Sequence, residues 1–194
     1  MRTYITSDKD LIAQYLKGDE ASLNQLIKRH RQKVFTSILI MVKDKDISED
    51  IFQDTFIKVV KTLRSGNYNE EGKFLPWVVR IAHNLVIDHF RREKRTTMLR
   101  DTDEFSILST LPVYDDNVEE KLIKDQIHAD VRKLIEELPF EQKEVLIMRH
   151  YANMSFKDIA DVTNVSINTS LGRMRYALIN LRKLIDKKGV VLKV

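Results

Sequence analysis

The sequence predicts an all-α protein: two small helical domains joined by a flexible acidic linker, the C-terminal one containing a helix-turn-helix. Three observations carry this expectation. The 194 residues include only five glycines and three prolines, few breaks for a chain of that length. Apolar residues recur at steps of three and four from residue 8 to about 95 and again from 118 to 188, whereas residues 96 to 117 sustain no such period. Charge divides at the same places: residues 1–95 hold 18 basic and 13 acidic side chains, 96–117 hold one and five, and 118–194 hold 14 and 11. Two mildly basic domains, 1–95 and 118–194, therefore flank an acidic linker, 96–117, and each is long enough to build a core.

Residues 8 to 42 read as a short helix broken near Gly18 and a longer one that buries Leu23, Leu26, Ile27, Val34, Ile38 and Met41. Asp46 with Glu49 reads as the capped start of the next helix, which runs to about Arg64 on an apolar side of Ile47, Ile51, Phe52, Phe56, Val59, Val60 and Leu63. Its other side carries Glu49, Asp50, Gln53, Asp54 and Lys58, which on the residues alone is an ordinary solvated face. SGNYNEEGK, residues 65 to 73, reads as a loop. Pro76 suits a first helical turn, and Trp77, Val78, Ile81 and Leu85 then pack inward. The same helix displays Arg80, His83, Asn84, Asp88 and His89 before RREKR at 91 to 95. Those cations, Arg91 and Arg92 among them, suit phosphate contacts and equally suit the negative end of a helix dipole.

After the linker, Val118, Leu122, Ile127, Val131, Leu134 and Leu138 restore a helical period, and Pro139 separates them from the apolar FEQKEVLIMRHY. Ser155 and Asp158 form a capping box at the start of a short helix on which Phe156, Ile159 and Ala160 share a face. Asn164 supplies a left-handed corner and Ser166 an N-cap. Ile167, Leu171, Met174, Leu178, Leu181 and Ile185 then mark the expected buried stripe of a long second helix. A short helix, a sharp turn and a longer helix make a helix-turn-helix. Small polar groups open the second helix (Ser166, Asn168, Thr169, Ser170), where they reach base edges in a major groove. Arg173, Arg175, Arg182 and Lys183 follow, the later ones suited to phosphates. The alternative is an amphipathic helix with a solvated basic face. Gly172 within it marks a close approach to DNA or to a neighbouring helix.

Composition narrows the chemistry. Without cysteine there is neither a disulfide framework nor a thiolate metal site, which fits a reducing cytoplasm. No apolar run approaches a membrane span, and the polar start lacks a secretory h-region. His83 and His89, six apart, face different sides of a helix, so no metal is expected. No glycine-rich phosphate loop and no nucleophile with its base are recognisable, so neither catalysis nor a cofactor is expected.

Taken together, the segments resemble the extracytoplasmic-function sigma factors of bacterial RNA polymerase. DISEDIFQDTFIKVVKTL is similar to the family's core-polymerase-binding helix, and GKFLPWVVRIAHNLVIDHFRREKR to its minus-ten-recognition helix. The stretch from LPFEQKEV to LRKLI is similar to the minus-35-binding domain. The resemblance implies that Glu49, Asp50, Gln53 and Asp54 meet core polymerase. It also implies that Asn84, with Arg80 and Asp88 nearby, reads the unpaired minus-ten strand, and that the helix after Ser166 reads minus-35 DNA. That helix opens INTSLGRMRYA where many relatives carry Val-x-Ser-Arg, implying altered contacts on the same fold. An anti-sigma factor is a further partner the resemblance allows. The competing readings are a dimeric helix-turn-helix regulator with a ligand-sensing N-terminal half, and a helical adaptor without DNA contact.

Overall fold

The computed structural model describes residues 6–97 and 131–189, and the chain within them forms eight helices. These are α1 (Asp8–Leu16), α2 (Glu20–Val42), α3 (Lys45–Arg64), α4 (Phe74–Thr97), α5 (131–136), α6 (Phe140–His150), α7 (Phe156–Thr163) and α8 (Ile167–Lys188). No strand occurs among the described residues. The acidic linker and the expected helical positions 118, 122 and 127 lie outside them, apart from residues 96 and 97, which end α4.

Helix limits follow from short side chains that satisfy the backbone donors left over at each start. Ser7 accepts from the Asp10 amide, Asp19 from Ala21, and Ser166 from Thr169. For α3 the cap is Asp44, accepting from the Ile47 amide, and not the expected Asp46. The reason lies upstream: Lys43 ends α2 in the left-handed conformation, φ 64°, and returns the chain to an extended Asp44 two residues earlier than the pattern suggests. Between α7 and α8, Asn164 adopts φ 53° and ψ 46°, the expected left-handed corner.

Helix α2 is the spine of the N-terminal half, packed on α1, α3 and α4. Leu11, Leu26, Val34, Ile38, Val59, Leu63, Phe74 and Val78 are buried between them, each contributing about 1.5–3 kcal/mol of transfer free energy. In the C-terminal half α6 holds the corresponding place against α7 and α8, with Leu134, Val145, Ile147, Ile159 and Ala177 at its centre. The two halves also meet. Phe90 of α4 lies edge-on to Phe140 of α6, ring centres 5.7 Å apart, and α2 packs on α6, so the apolar cores join.

The structure corrects two sequence expectations here. The row expected to be the buried stripe of α8 is largely open, since Ile167, Leu171 and Leu178 are each more than two-fifths exposed while Ser170 and Ala177 are buried. Helix α8 is thus rotated so that the 170–177–181–184 row faces the core it shares with α6 and α7, which pack on it. His83, expected on the displayed face of α4, is buried at the junction of the halves.

The capping box of α7 gives a direct test. Ser155 Oγ accepts from the Asp158 amide at 3.1 Å, and Asp158 Oδ2 accepts from the Ser155 amide at 3.1 Å. The Ser155 hydroxyl, and then the Lys73 ammonium, hold the Asp158 carboxyl below the usual aspartate value. Ser155→Ala should lower stability by about 1 kcal/mol in urea denaturation at neutral pH. The depressed folded value means that the Asp158 contribution is complete above the ordinary aspartate range and disappears as pH falls through the lowered value. Asp158→Asn should therefore flatten the acid limb of stability and leave its slope above pH 6 unchanged.

Candidate nucleic-acid interface

The helix-turn-helix is braced from behind. Arg149, at the end of α6, donates to the Met154 carbonyl at 2.8 Å and lies 5.4 Å over the Phe156 ring, which fixes the turn leading into α7. Asn180 of α8 donates to Gln142 of α6 at 2.9 Å, and Lys188 pairs with Glu137. With α8 held at these two levels, its N-terminal end projects as the exposed edge of the unit. Asn168 and Thr169 are exposed there, Ser166 caps the helix, and the Ser166 and Thr169 hydroxyls meet at 2.8 Å. Arg175, Arg182 and Lys183 are exposed further along.

Two of the expected contacts are placed otherwise. Ser170 is fully buried with no protein partner for its hydroxyl, so it faces the core and not a duplex. Arg173 is only partly exposed and donates to Glu144 Oε1 at 2.8 Å. Among the described residues, a methyl group added at Gly172 would meet nothing within 4 Å, so no neighbouring helix there accounts for that glycine.

On α4, Arg80, Asn84 and Asp88 recur every four residues along one face, the first two exposed and Asp88 half-buried. Arg91 lies 3.6 Å from Asp88, and Arg91, Arg92, Lys94 and Arg95 carry the positive charge to the end of the helix. On α3, Glu49, Asp50, Gln53 and Asp54 are exposed together while Ile51, Thr55 and Phe56 face the core. Lys45 reaches Glu49 only at 4.0 Å, so this acidic face stays solvated. The structure thus groups the expected residues in three separate surfaces, one per helix. Among the described residues no cluster of His, Cys, Asp and Glu is arranged to hold a metal, and no helix is long and apolar enough to cross a membrane.

A fourth cluster had no sequence signal. Glu144 is buried between His83 and Arg173, its Oε2 3.0 Å from His83 Nε2. Next to it Lys143 is also buried, and desolvation pushes its ammonium down to about 8, with Lys43 across the junction adding repulsion. At the rim, Lys73 of the α3–α4 loop donates to Asp158 of α7 at 3.2 Å. A polar seam therefore runs along the boundary between the two helical groups.

Comparison with known proteins agrees with this geometry. Residues 26–96 match the family model for Sigma-70 region 2, and residues 128–173 match the model for Sigma-70, region 4. The chain is similar to the RNA polymerase sigma-H factor of Pseudomonas aeruginosa, 27% identical over 184 residues that cover 93% of this chain and 92% of the relative. It is also similar to the ECF RNA polymerase sigma factor SigW of Bacillus subtilis, at 25% identity over 90% of this chain and 95% of that protein. Among solved structures it shares the fold of the sigma factor RpoE of Bartonella quintana, solved in complex with the anti-sigma factor NepR. That match has a TM-score of 0.68 at 18% identity and covers 84% of this chain and 96% of the other. CnrH, solved in complex with the cytosolic domain of CnrY, matches with a TM-score of 0.62 at 22% identity, over 94% and 99%.

Lys143 makes the seam testable by pH. The folded value lies below the unfolded one, so the unfolded chain binds the additional proton between about pH 8 and the ordinary lysine range, and stability rises with pH across that window. Urea midpoints from pH 7 to 10 should show this rise in the native chain relative to Lys143→Met, whose uncharged side chain removes the titration. Parallel curves would place the Lys143 ammonium in solvent.

Proposed function

We infer that this protein, which belongs to the extracytoplasmic-function sigma factors of the sigma-70 family, binds core RNA polymerase, directs it to a class of promoters and helps open the duplex. The observation that carries this reading is the order of matches, region 2 and then region 4, on a chain whose C-terminal helices fold as a capped helix-turn-helix. The polymerase performs the chemistry, and this chain positions it. The same reading makes the protein cytoplasmic and assigns residues 1–95 to polymerase and the minus-ten element, 96–117 to a linker, and 118–194 to the minus-35 element.

Each surface suits its assignment on physical grounds. The α3 face of Glu49, Asp50, Gln53 and Asp54 is acidic, exposed and not needed by the core, so it is available to a basic partner surface. On α4, Asn84 offers both a donor and an acceptor to an unpaired base, Arg80 and Asp88 flank it, and Arg91 and Arg92 lie where a backbone would run. On α8, Asn168, Thr169 and Arg173 lie near the entering end and Arg175, Arg182 and Lys183 along the flank, the usual division between base reading and phosphate anchoring. A dimeric, ligand-sensing regulator is not favoured, because both halves match sigma-70 regions.

Copurification with core polymerase followed by promoter-dependent transcription is the primary test. Within it, Asp50→Ala combined with Gln53→Ala should change unfolding stability by no more than about 0.5 kcal/mol, since both side chains are exposed, while weakening polymerase binding. Unchanged affinity would remove the α3 face from the interface. For DNA, duplexes selected by the polymerase complex from a random pool supply the minus-35 probe. Arg173→Ala should cost about 1–3 kcal/mol on the selected duplex and much less on a scrambled one. Lys183→Ala should weaken both about equally and reduce the salt slope by about one. Equal loss on both duplexes for Arg173→Ala would make that residue an anchor and not a reader.

A further inference from the structure

A cleft of about 530 Å³ opens where α2 meets α5, α6 and α8. That size falls within the roughly 300–1,000 Å³ of small-molecule sites. None of the DNA-directed residues of α4 and α8, and none of the acidic face of α3, lines it.

One side of the cleft is aliphatic. Ile135 and Leu146 are buried, and Met174, Leu178 and Leu181 carry the core outward along α8. Leu178 is 46% exposed, so hydrocarbon faces water inside a concavity, where an apolar guest gains by displacing that water.

The other side supplies nitrogen donors from three helices: Lys33 of α2, Arg132 of α5 and His150 of α6. Lys33 and His150 are exposed and stand at the mouth. Beside them burial pushes the Tyr151 phenol above its ordinary value, against the pull of Arg132, so it stays a neutral hydroxyl donor. Among the described residues no carboxylate lines the cleft. Elsewhere the cations between helices meet one, as Arg29 does on Asp8, Arg64 on Glu20 and Lys73 on Asp158. Here the positive groups share their space with an aliphatic wall, and the match to that combination is an anion with a hydrocarbon tail. A flexible tail suits Met174 and the two leucines of α8, since an unbranched thioether side chain adapts to the shape beside it. A carboxylate head suits lysine and arginine, whose charge-assisted hydrogen bonds are about twice as strong as neutral ones.

We propose that this cleft binds a free fatty acid, its acyl chain along Ile135, Leu146, Met174, Leu178 and Leu181 and its carboxylate on Lys33, Arg132 and His150. The site goes beyond the function proposed above and does not rest on it. Four helices contribute to it, so a bound acyl chain touches α2 and α8 together and adds to folded stability by mass action.

Dodecanoate, kept below its micelle concentration, is the ligand for the test, titrated calorimetrically into the full-length chain. One molecule per chain should bind. Dodecyltrimethylammonium, with the same tail and the opposite charge, should bind at least about tenfold more weakly. Lys33→Gln, at an exposed position that spares the core, should also weaken dodecanoate about tenfold. Leu178→Glu sets a carboxylate in the cleft and should abolish binding, whereas Lys61→Gln, on α3 and outside the cleft, should leave it unchanged. Location is read separately by carbon-13 methyl labelling of methionine. Met174 is the one methionine lining the cleft among the described residues. Its resonance, identified by its loss in Met174→Leu, should move to saturation with dodecanoate while those of buried Met41 and Met148 stay in place. Equal affinity for the two amphiphiles, a Met174 resonance that does not move, or indifference to Lys33→Gln would each overturn the site. Binding to phosphatidylglycerol vesicles without any response to dodecanoate would make a lipid surface the ligand and overturn it too. So would dodecanoate binding that emerges only when Asp101, Asp103, Glu104, Asp115 and Asp116 are together replaced by their amides, a result that would assign the cleft to the chain's own acidic linker.

Discussion

The junction of the two helical groups depends on one buried carboxylate. Glu144 is buried, with 4% of its surface exposed, and a lone ionised side chain in such a place is prohibitively expensive. Its tolerance requires both neighbours, the His83 ring on one oxygen and the Arg173 guanidinium on the other. These three residues come from α4, α6 and α8, so the demand of one charge fixes the relative placement of three helices. The apolar contact of Phe90 with Phe140 and the pairing of Lys73 with Asp158 fall into line with it.

This constraint also leaves the outer faces of α4 and α8 apart from each other. Each keeps a polar face pointed outward, Arg80 and Asn84 on α4 and Asn168 and Thr169 on α8, while polar groups on the inward sides meet in the seam. The α3 face lies outside that arrangement altogether. Among the described residues its acidic side chains make no ion pair closer than 4.0 Å, whereas α4 ends on Lys94 and Arg95 and α8 on Lys187 and Lys188.

Local features were legible in the sequence because their causes are local. The capping box at Ser155, the left-handed Asn164, the break at Gly18 and the start of α4 near Pro76 each rest on residues within a turn of one another. The three candidate surfaces were legible for the same reason: helical spacing alone puts Asp50 beside Asp54 and Arg80 beside Asn84. What the sequence did not yield depends on tertiary placement. The apolar row of α8 is real, but only packing decides which flank of it is covered, and the helix is turned toward Ser170 and Ala177. His83 looked displayed because a histidine on an amphipathic helix usually is, and its partner Glu144 lies 61 residues away with no pattern linking the two. Asp44 was passed over because a lysine in the left-handed conformation gives no warning of itself.

The open space beside Gly172 bears on how this protein tolerates change. In the interior of a helix, glycine forgoes about 1 kcal/mol relative to alanine, and here no atom of the described residues comes within 4 Å of the missing methyl group. The second turn of α8 therefore carries a reserve of stability, available through a single substitution that disturbs no neighbour among the described residues. That reserve lies one residue from Arg173, on the turn that also carries its ion pair with Glu144.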